Sequence, residues 1–166
     1  MDKTDFIKEH PDFRPEYMQR AIDLSAESAR SGGGPFGAVI TRGGKIVGEG
    51  VNGVTRLNDP TAHAEVQAIR DACASLSTYS LAGCTVYSSC EPCPMCLSAL
   101  YWAGVERIYF GNTKEDAAAI DFSDAYIYEE LSLAREQRHL PCVHVPGTDA
   151  IRAFRLWQAN PDKKKY

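Results

Sequence analysis

Two short segments, well separated in the chain, each offer metal donors where a helix should begin. One is Asn58-Asp59-Pro60-Thr61-Ala62-His63-Ala64-Glu65; the other is Ser88-Ser89-Cys90-Glu91-Pro92-Cys93-Pro94-Met95-Cys96. If one ion takes donors from both, the fold must set two helix starts side by side. Cys93 and Cys96 are three apart, so on a helix they share a face and reach one ion. Pro92 and Pro94 suit a first turn, and Leu97 to Ala103 runs apolar to Gly104, a C-cap residue. Upstream, Asp59 suits an N-cap and Pro60 the first helical position, with Val66, Ile69 and Cys73 carrying an apolar stripe onward. The partial positive charge of a helix N-terminus favours thiolates over thiols.

His63, Cys93 and Cys96 supply three ligands. Three ligands and an open position make a catalytic zinc site, whereas four close a structural one. Zinc with two thiolates and a neutral imidazole is a neutral centre, and it lowers the pKa of a bound water towards ~7. Glu65 follows His63 by two residues, roughly 200° round a helix, so it does not ligate on the same face. It is left as a general acid/base beside the metal. Two rival readings use the same cysteines. Cys90, Cys93, Cys96 and His63 would close a structural zinc site, but that leaves Glu65 without a purpose and draws on a cysteine at a strand end. A redox dithiol in a Cys-x-x-Cys beside a strand and helix is the other, and the upstream His-Ala-Glu argues against it.

With 166 residues the chain reads as one domain, 1–166, long enough for a real core. The net charge is −4 and the pI about 5.6, without the basic stripe of a nucleic-acid footprint. The clustered positive run Lys163-Lys164-Lys165 reads as a solvated tail. No apolar stretch reaches the length of a membrane span, and none follows a basic N-terminus, so no membrane association is expected. Six cysteines without a signal peptide point to a reducing cytoplasm. Cys73, Cys84 and Cys142 lie on apolar segments and read as small core residues.

Residues 1–14 are polar and aperiodic, and are expected as a loose extension. Pro15 opens a helix with Met18, Ala21, Ile22, Ser25 and Ala29 on one face, ended by Gly32-Gly33-Gly34. Strands are expected at 36–40 and 46–51, joined in a tight hairpin at Gly43-Gly44, then at 85–88, 107–110 and 143–145. Helices are expected over the two ligand segments, through 117–120 and 124–131, and from about Thr148 to Ala159. Strand–helix alternation after an opening hairpin predicts an α/β fold: a three-layer α/β/α sandwich with a central mixed five-stranded sheet. Sites in such sheets sit at the carboxyl ends of strands, where both ligand segments fall.

His-x-Glu followed by Pro-Cys-x-x-Cys is the signature of zinc-dependent nucleobase deaminases. With Pro35 to Ile40, Asn58 to Arg70 and Tyr87 to Ala103, it makes the chain resemble the cytidine deaminase-like superfamily. The acidic segment Asp121 to Tyr128 and the Lys-Lys-x-Tyr ending are similar to bacterial guanine deaminases. That resemblance implies conversion of guanine and water to xanthine and ammonia, with one zinc per chain and Glu65 moving protons. It further implies Asn52 as a hydrogen-bonding partner of the purine, Phe36 and Trp102 as aromatics lining its pocket, and Ala64 beside it. Asp124 matches a second carboxylate. The family usually has two adjacent acids there, where this chain has Ser123-Asp124 with Asp121 nearby, so both aspartates stay open. Some members are homodimers that exchange the C-terminal segment, here about 132–166, so that Tyr166 would close the partner's pocket.

Guanosine deaminases and tRNA adenosine deaminases share the core signature. The first need room for ribose. The second hold an anticodon loop through phosphate contacts, for which this acidic chain offers little. A non-catalytic zinc or RNA-binding module is the reading of a different class, and under it Glu65 is dispensable.

Overall fold

The computed structural model describes residues 3–165; Tyr166 lies outside the described residues. The chain divides into two compact units at Asp124/Ala125. The first unit opens with helices α1 (Lys3–Glu9) and α2 (Pro15–Arg30) and the hairpin β1 (Gly37–Arg42) and β2 (Lys45–Val51). Then come α3 (Val54–Leu57), α4 (Ala64–Leu76), β3 (Cys84–Cys90), α5 (Pro94–Ala103), β4 (Arg107–Asn112) and α6 (Lys114–Ala118). The second unit holds α7 (Ala125–Ser132), a 3₁₀ turn (Arg135–Gln137) and α8 (Ile151–Ala159).

The sheet has four strands in the order β2-β1-β3-β4. β1 is antiparallel to both β2 and β3, and β3 is parallel to β4, with α5 as the crossover. Gly43 and Gly44 both take positive φ (56° and 74°), the type I′ geometry that a two-residue hairpin favours. The strand expected at 143–145 does not form, so the sheet is four-stranded and not five-stranded. Pro141 and Pro146 bracket Val143-His144-Val145, removing ladder donors at both ends, and the two valines stand exposed.

Alternation along the strands builds two cores. On one face Val39, Tyr87 and Tyr109 pack with Ala21 and Leu24 of α2 and with Phe13. On the other, Ala38, Ile40 and Val86 pack with Ala64, Ala68 and Ala72 of α4 and Leu100 and Ala103 of α5. The result is a three-layer sandwich of α2, sheet, and α4 with α5. Residues 3–14, expected as a loose extension, instead hold α1 and an aromatic cluster in which Phe6 and Phe13 meet Tyr109 edge-on. Aromatic burial supplies order here that charge periodicity does not advertise. In the second unit no described side chain is buried, and Ile151, Phe154, Leu156 and Trp157 of α8 are exposed. Among the described residues no helix is long and apolar enough to cross a membrane.

Candidate active site

Both ligand segments enter their helices one residue before the first turn. His63 is the N-cap of α4 and Cys93 the N-cap of α5, each with extended backbone. The expected cap at Asp59 is not used for α4. Its carboxylate accepts the Thr61 backbone N–H (2.8 Å) and hydroxyl (2.7 Å), closing an Asx turn that delays the helix. Gly104 ends α5 in the left-handed conformation, as its sequence position suggests.

The donor atoms of His63, Cys93 and Cys96 lie within 4.8 Å of one another. His63 Nδ1 is 3.5 Å from Cys93 Sγ. An ion about 2.3 Å from sulfur and about 2.0–2.1 Å from nitrogen at a tetrahedral angle needs a span of roughly 3.5 Å, so the residues fit zinc. The electrostatics agree. Cys93 is pulled down to about 4, first by the Cys96 thiol that donates to it and then by His63. Cys96 is pushed up by giving that bond and by burial. His63 is raised by its bond to Cys93 against the effect of burial. A cation among the three would relieve the crowding of a thiolate against a second thiol. Cys90 stands apart: its sulfur points to the Thr113 carbonyl (3.7 Å), and burial raises it to about 11. Among the described residues the cluster therefore has three donors, and the four-ligand structural reading loses its fourth.

Glu65 sits in the first turn of α4, buried, on the side of the cluster where its carboxylate meets the end of β3. Burial raises its carboxyl above the ordinary range. The Ser88 hydroxyl donates to Glu65 Oε1 at 3.0 Å, both side chains buried. A buried carboxyl raised by desolvation, beside three donors able to hold a metal, is placed to exchange protons with a group bound there. Ser88 escaped the sequence reading, because a serine ending an apolar strand carries no signal by itself.

The residues expected around a base are distributed unevenly. Asn52 follows directly after β2; its N–H donates to the Phe36 carbonyl (3.1 Å) and its Oδ1 accepts from Val54 N–H (3.3 Å). It also lines a cavity of about 560 Å³ with Leu24, Glu27, Ser28, Val51 and Arg56, to which the metal-donor cluster does not contribute. The Phe36 ring meets Phe122 edge-on at 5.0 Å, a partner that sequence reading did not single out. Ala64 is fully buried at the start of α4. Asp124 is half-buried, and its carboxyl is raised by burial and then by the negative charge of Cys93 and Glu91, so it lies within electrostatic reach of the cluster. Asp121 is exposed with φ 69°. Trp102 is three-quarters exposed in the last turn of α5, at the opposite end of that helix from Cys93. Tyr166 falls outside the described residues.

Residues 12–112 match the family described as the cytidine and deoxycytidylate deaminase zinc-binding region. The chain is 46% identical over 151 residues to the guanine deaminase of Bacillus subtilis (strain 168), covering 90% of this chain and 97% of that protein. The X-ray structure of guanine deaminase from Bacillus subtilis superposes with a TM-score of 0.90 at 45% identity, over 93% of this chain and 99% of that one. A tRNA-specific adenosine deaminase of Aquifex aeolicus is 39% identical over 94 residues, 57% of this chain and 62% of that protein.

Proposed function

From the premise that the chain belongs to the cytidine and deoxycytidylate deaminase family, and within it to the guanine deaminases, we propose that it hydrolyses guanine to xanthine and ammonia with one zinc ion held by His63, Cys93 and Cys96. The observation that carries the reading is the buried carboxylate of Glu65 beside a three-donor cluster, in a chain similar over nearly its whole length to a guanine deaminase. Zinc, when bound, supplies Lewis acidity that makes a water nucleophilic near neutral pH. Glu65 takes a proton from that water, gives it to a ring nitrogen of the base, and helps protonate the departing amine. Its burial supports the role, because desolvation raises the carboxyl and makes it a better proton acceptor than an exposed glutamate.

Asn52 holds the purine edge through its carboxamide, whose orientation the Val54 N–H fixes. Phe36, with Phe122 against its edge, forms an aromatic wall, and the buried Ala64 lies beside the base. Asp124 serves as the second carboxylate; its half-buried position and the influence of Cys93 favour it over the exposed Asp121. The protein works as a homodimer in which the C-terminal segment covers the partner subunit. The apolar residues that α8 leaves exposed support this, since a partner would bury them. A lid of that kind excludes water and the ribose of a nucleoside.

Ammonia release from zinc-loaded protein given guanine, guanosine, cytosine and adenine separately tests the reading. Release from guanine alone is expected. Release from guanosine in preference to guanine would overturn the substrate assignment, and silence with all four would overturn the reaction.

A further inference from the structure

The hydroxyl of Ser88 and the carboxylate of Glu65 are a buried pair, 3.0 Å apart, on different elements. Ser88 lies near the end of β3, paired on one side to Ala38 of β1 and on the other to Phe110 of β4. Its backbone is therefore held by ladders on both sides, in the middle of the sheet. Strand alternation puts Ser88 on the same face as Val86, beneath α4 and α5, whereas Ser89 accepts the Gly37 N–H at 3.0 Å. Two adjacent serines thus serve different ends: Ser89 ties two strands, and Ser88 reaches the start of a helix.

A hydroxyl in an apolar core is costly unless it is hydrogen-bonded. The terminal torsion of a glutamate is broad, so a carboxylate without a fixed partner samples many orientations. We infer that Ser88 is a positioning residue for the reaction, locking the Glu65 carboxylate against the rigid sheet so that its proton-carrying oxygens keep one orientation towards the base and the attacking water. The inference rests on the role given above to Glu65. Ser88 touches neither the base nor the metal in this scheme; it acts through the glutamate.

A double-mutant cycle on zinc-loaded protein tests it, with kcat, KM and zinc per chain measured throughout. Ser88→Ala is expected to lower kcat roughly tenfold to a hundredfold, the range of a hydrogen bond to a charged group, with KM and zinc content unchanged. Ser88→Thr, which keeps the hydroxyl, is expected to restore most of the turnover. Ser88→Val, of similar shape without the hydroxyl, is expected to behave as Ser88→Ala; this pair decides the matter if the alanine variant does not fold. Glu65→Gln is expected to lose at least ~10²-fold in turnover while keeping zinc and fold. In that background Ser88→Ala should cost little more. Wild-type turnover in both Ser88→Ala and Ser88→Val overturns the inference. So does the same fold-loss from Ser88→Ala with and without Glu65→Gln, because the serine would then act elsewhere. Near-normal turnover of Glu65→Gln would instead overturn the role of the glutamate, and the positioning role with it, so the two failures are distinguishable.

Discussion

Gly50→Ala is the substitution for which the structure works out the largest effect from the smallest change. Gly50 on β2 lies directly beneath the first turns of α4. A Cβ there would stand 2.5 Å from the Ala68 nitrogen and 3.0 Å from Gln67 Cβ, and closer still to the Ala64 carbonyl. Ordinary contacts between heavy atoms are about 3.5–4.0 Å, so the helix must retreat by about 1 Å. The obstacles include helix backbone, which cannot swing aside as a side chain does. Overpacking of this kind costs about 3 kcal/mol at its upper end. Replacing glycine also reduces the entropy of the unfolded chain, which offsets roughly 0.4–1 kcal/mol, leaving a net loss of about 2 kcal/mol. For a protein of this size that lowers Tm by about 4–8 °C. The turn displaced is the one that carries His63 and Glu65, and a 1 Å misplacement of reacting groups costs about 10²-fold in rate. Gly48→Ala is the control. Its Cβ would meet Ala72 N at 2.5 Å and Ala68 O at 2.6 Å, one turn further along α4. It should destabilise the protein about as much and slow turnover less. Urea unfolding followed by circular dichroism, with kcat for guanine, reads both quantities. Wild-type stability in Gly50→Ala, or a larger loss of turnover in Gly48→Ala than in Gly50→Ala, would refute the reasoning.

Two further outcomes follow from the structure. Cys93→Ala or Cys96→Ala is expected to lose the single zinc; elemental analysis after gel filtration checks this, and metal retention in either would refute the ligand set. Glu49 is held below its ordinary value of 4.5 by two bonds from the Arg20 guanidinium, at 2.8 and 2.7 Å. A carboxyl lowered in the folded state adds stability above its unfolded pKa and loses it as pH falls through the folded pKa. The pair is about a third exposed on each side, so its worth is at most about 1 kcal/mol. The stability gap between wild type and Glu49→Gln should therefore be small and constant near pH 7 and close below about pH 4; a gap that widens in acid would refute it.

Local chemistry made much of this protein legible from its sequence. The start of α5 at Pro94, the Gly43-Gly44 hairpin, the cap at Gly104 and the Cys93 and Cys96 pair follow from residue type and short spacing, whereas the start of α4 falls at Ala64 and not at the expected Asp59-Pro60. Such signals survive because each is decided within a few residues by backbone sterics or by a side chain's own bonding capacity. What needed the tertiary structure was decided by partners distant in sequence. The valines of 143–145 have strand propensity, but no strand pairs with them. Polar residues 3–14 are ordered because Phe6 and Phe13 find Tyr109, far along the chain. Gly48 and Gly50 are the surface on which α4 seats, a contact with residues about twenty positions away that the strand itself does not signal. Cys90 and Cys93 are alike in sequence, and only the turn of the strand end towards Thr113 takes one of them away from the metal donors. Ser88 acquires its meaning when the sheet brings it under Glu65. Sequence determines which groups can do chemistry; burial and long-range pairing determine which of them meet, because those energies depend on neighbours that no local window contains.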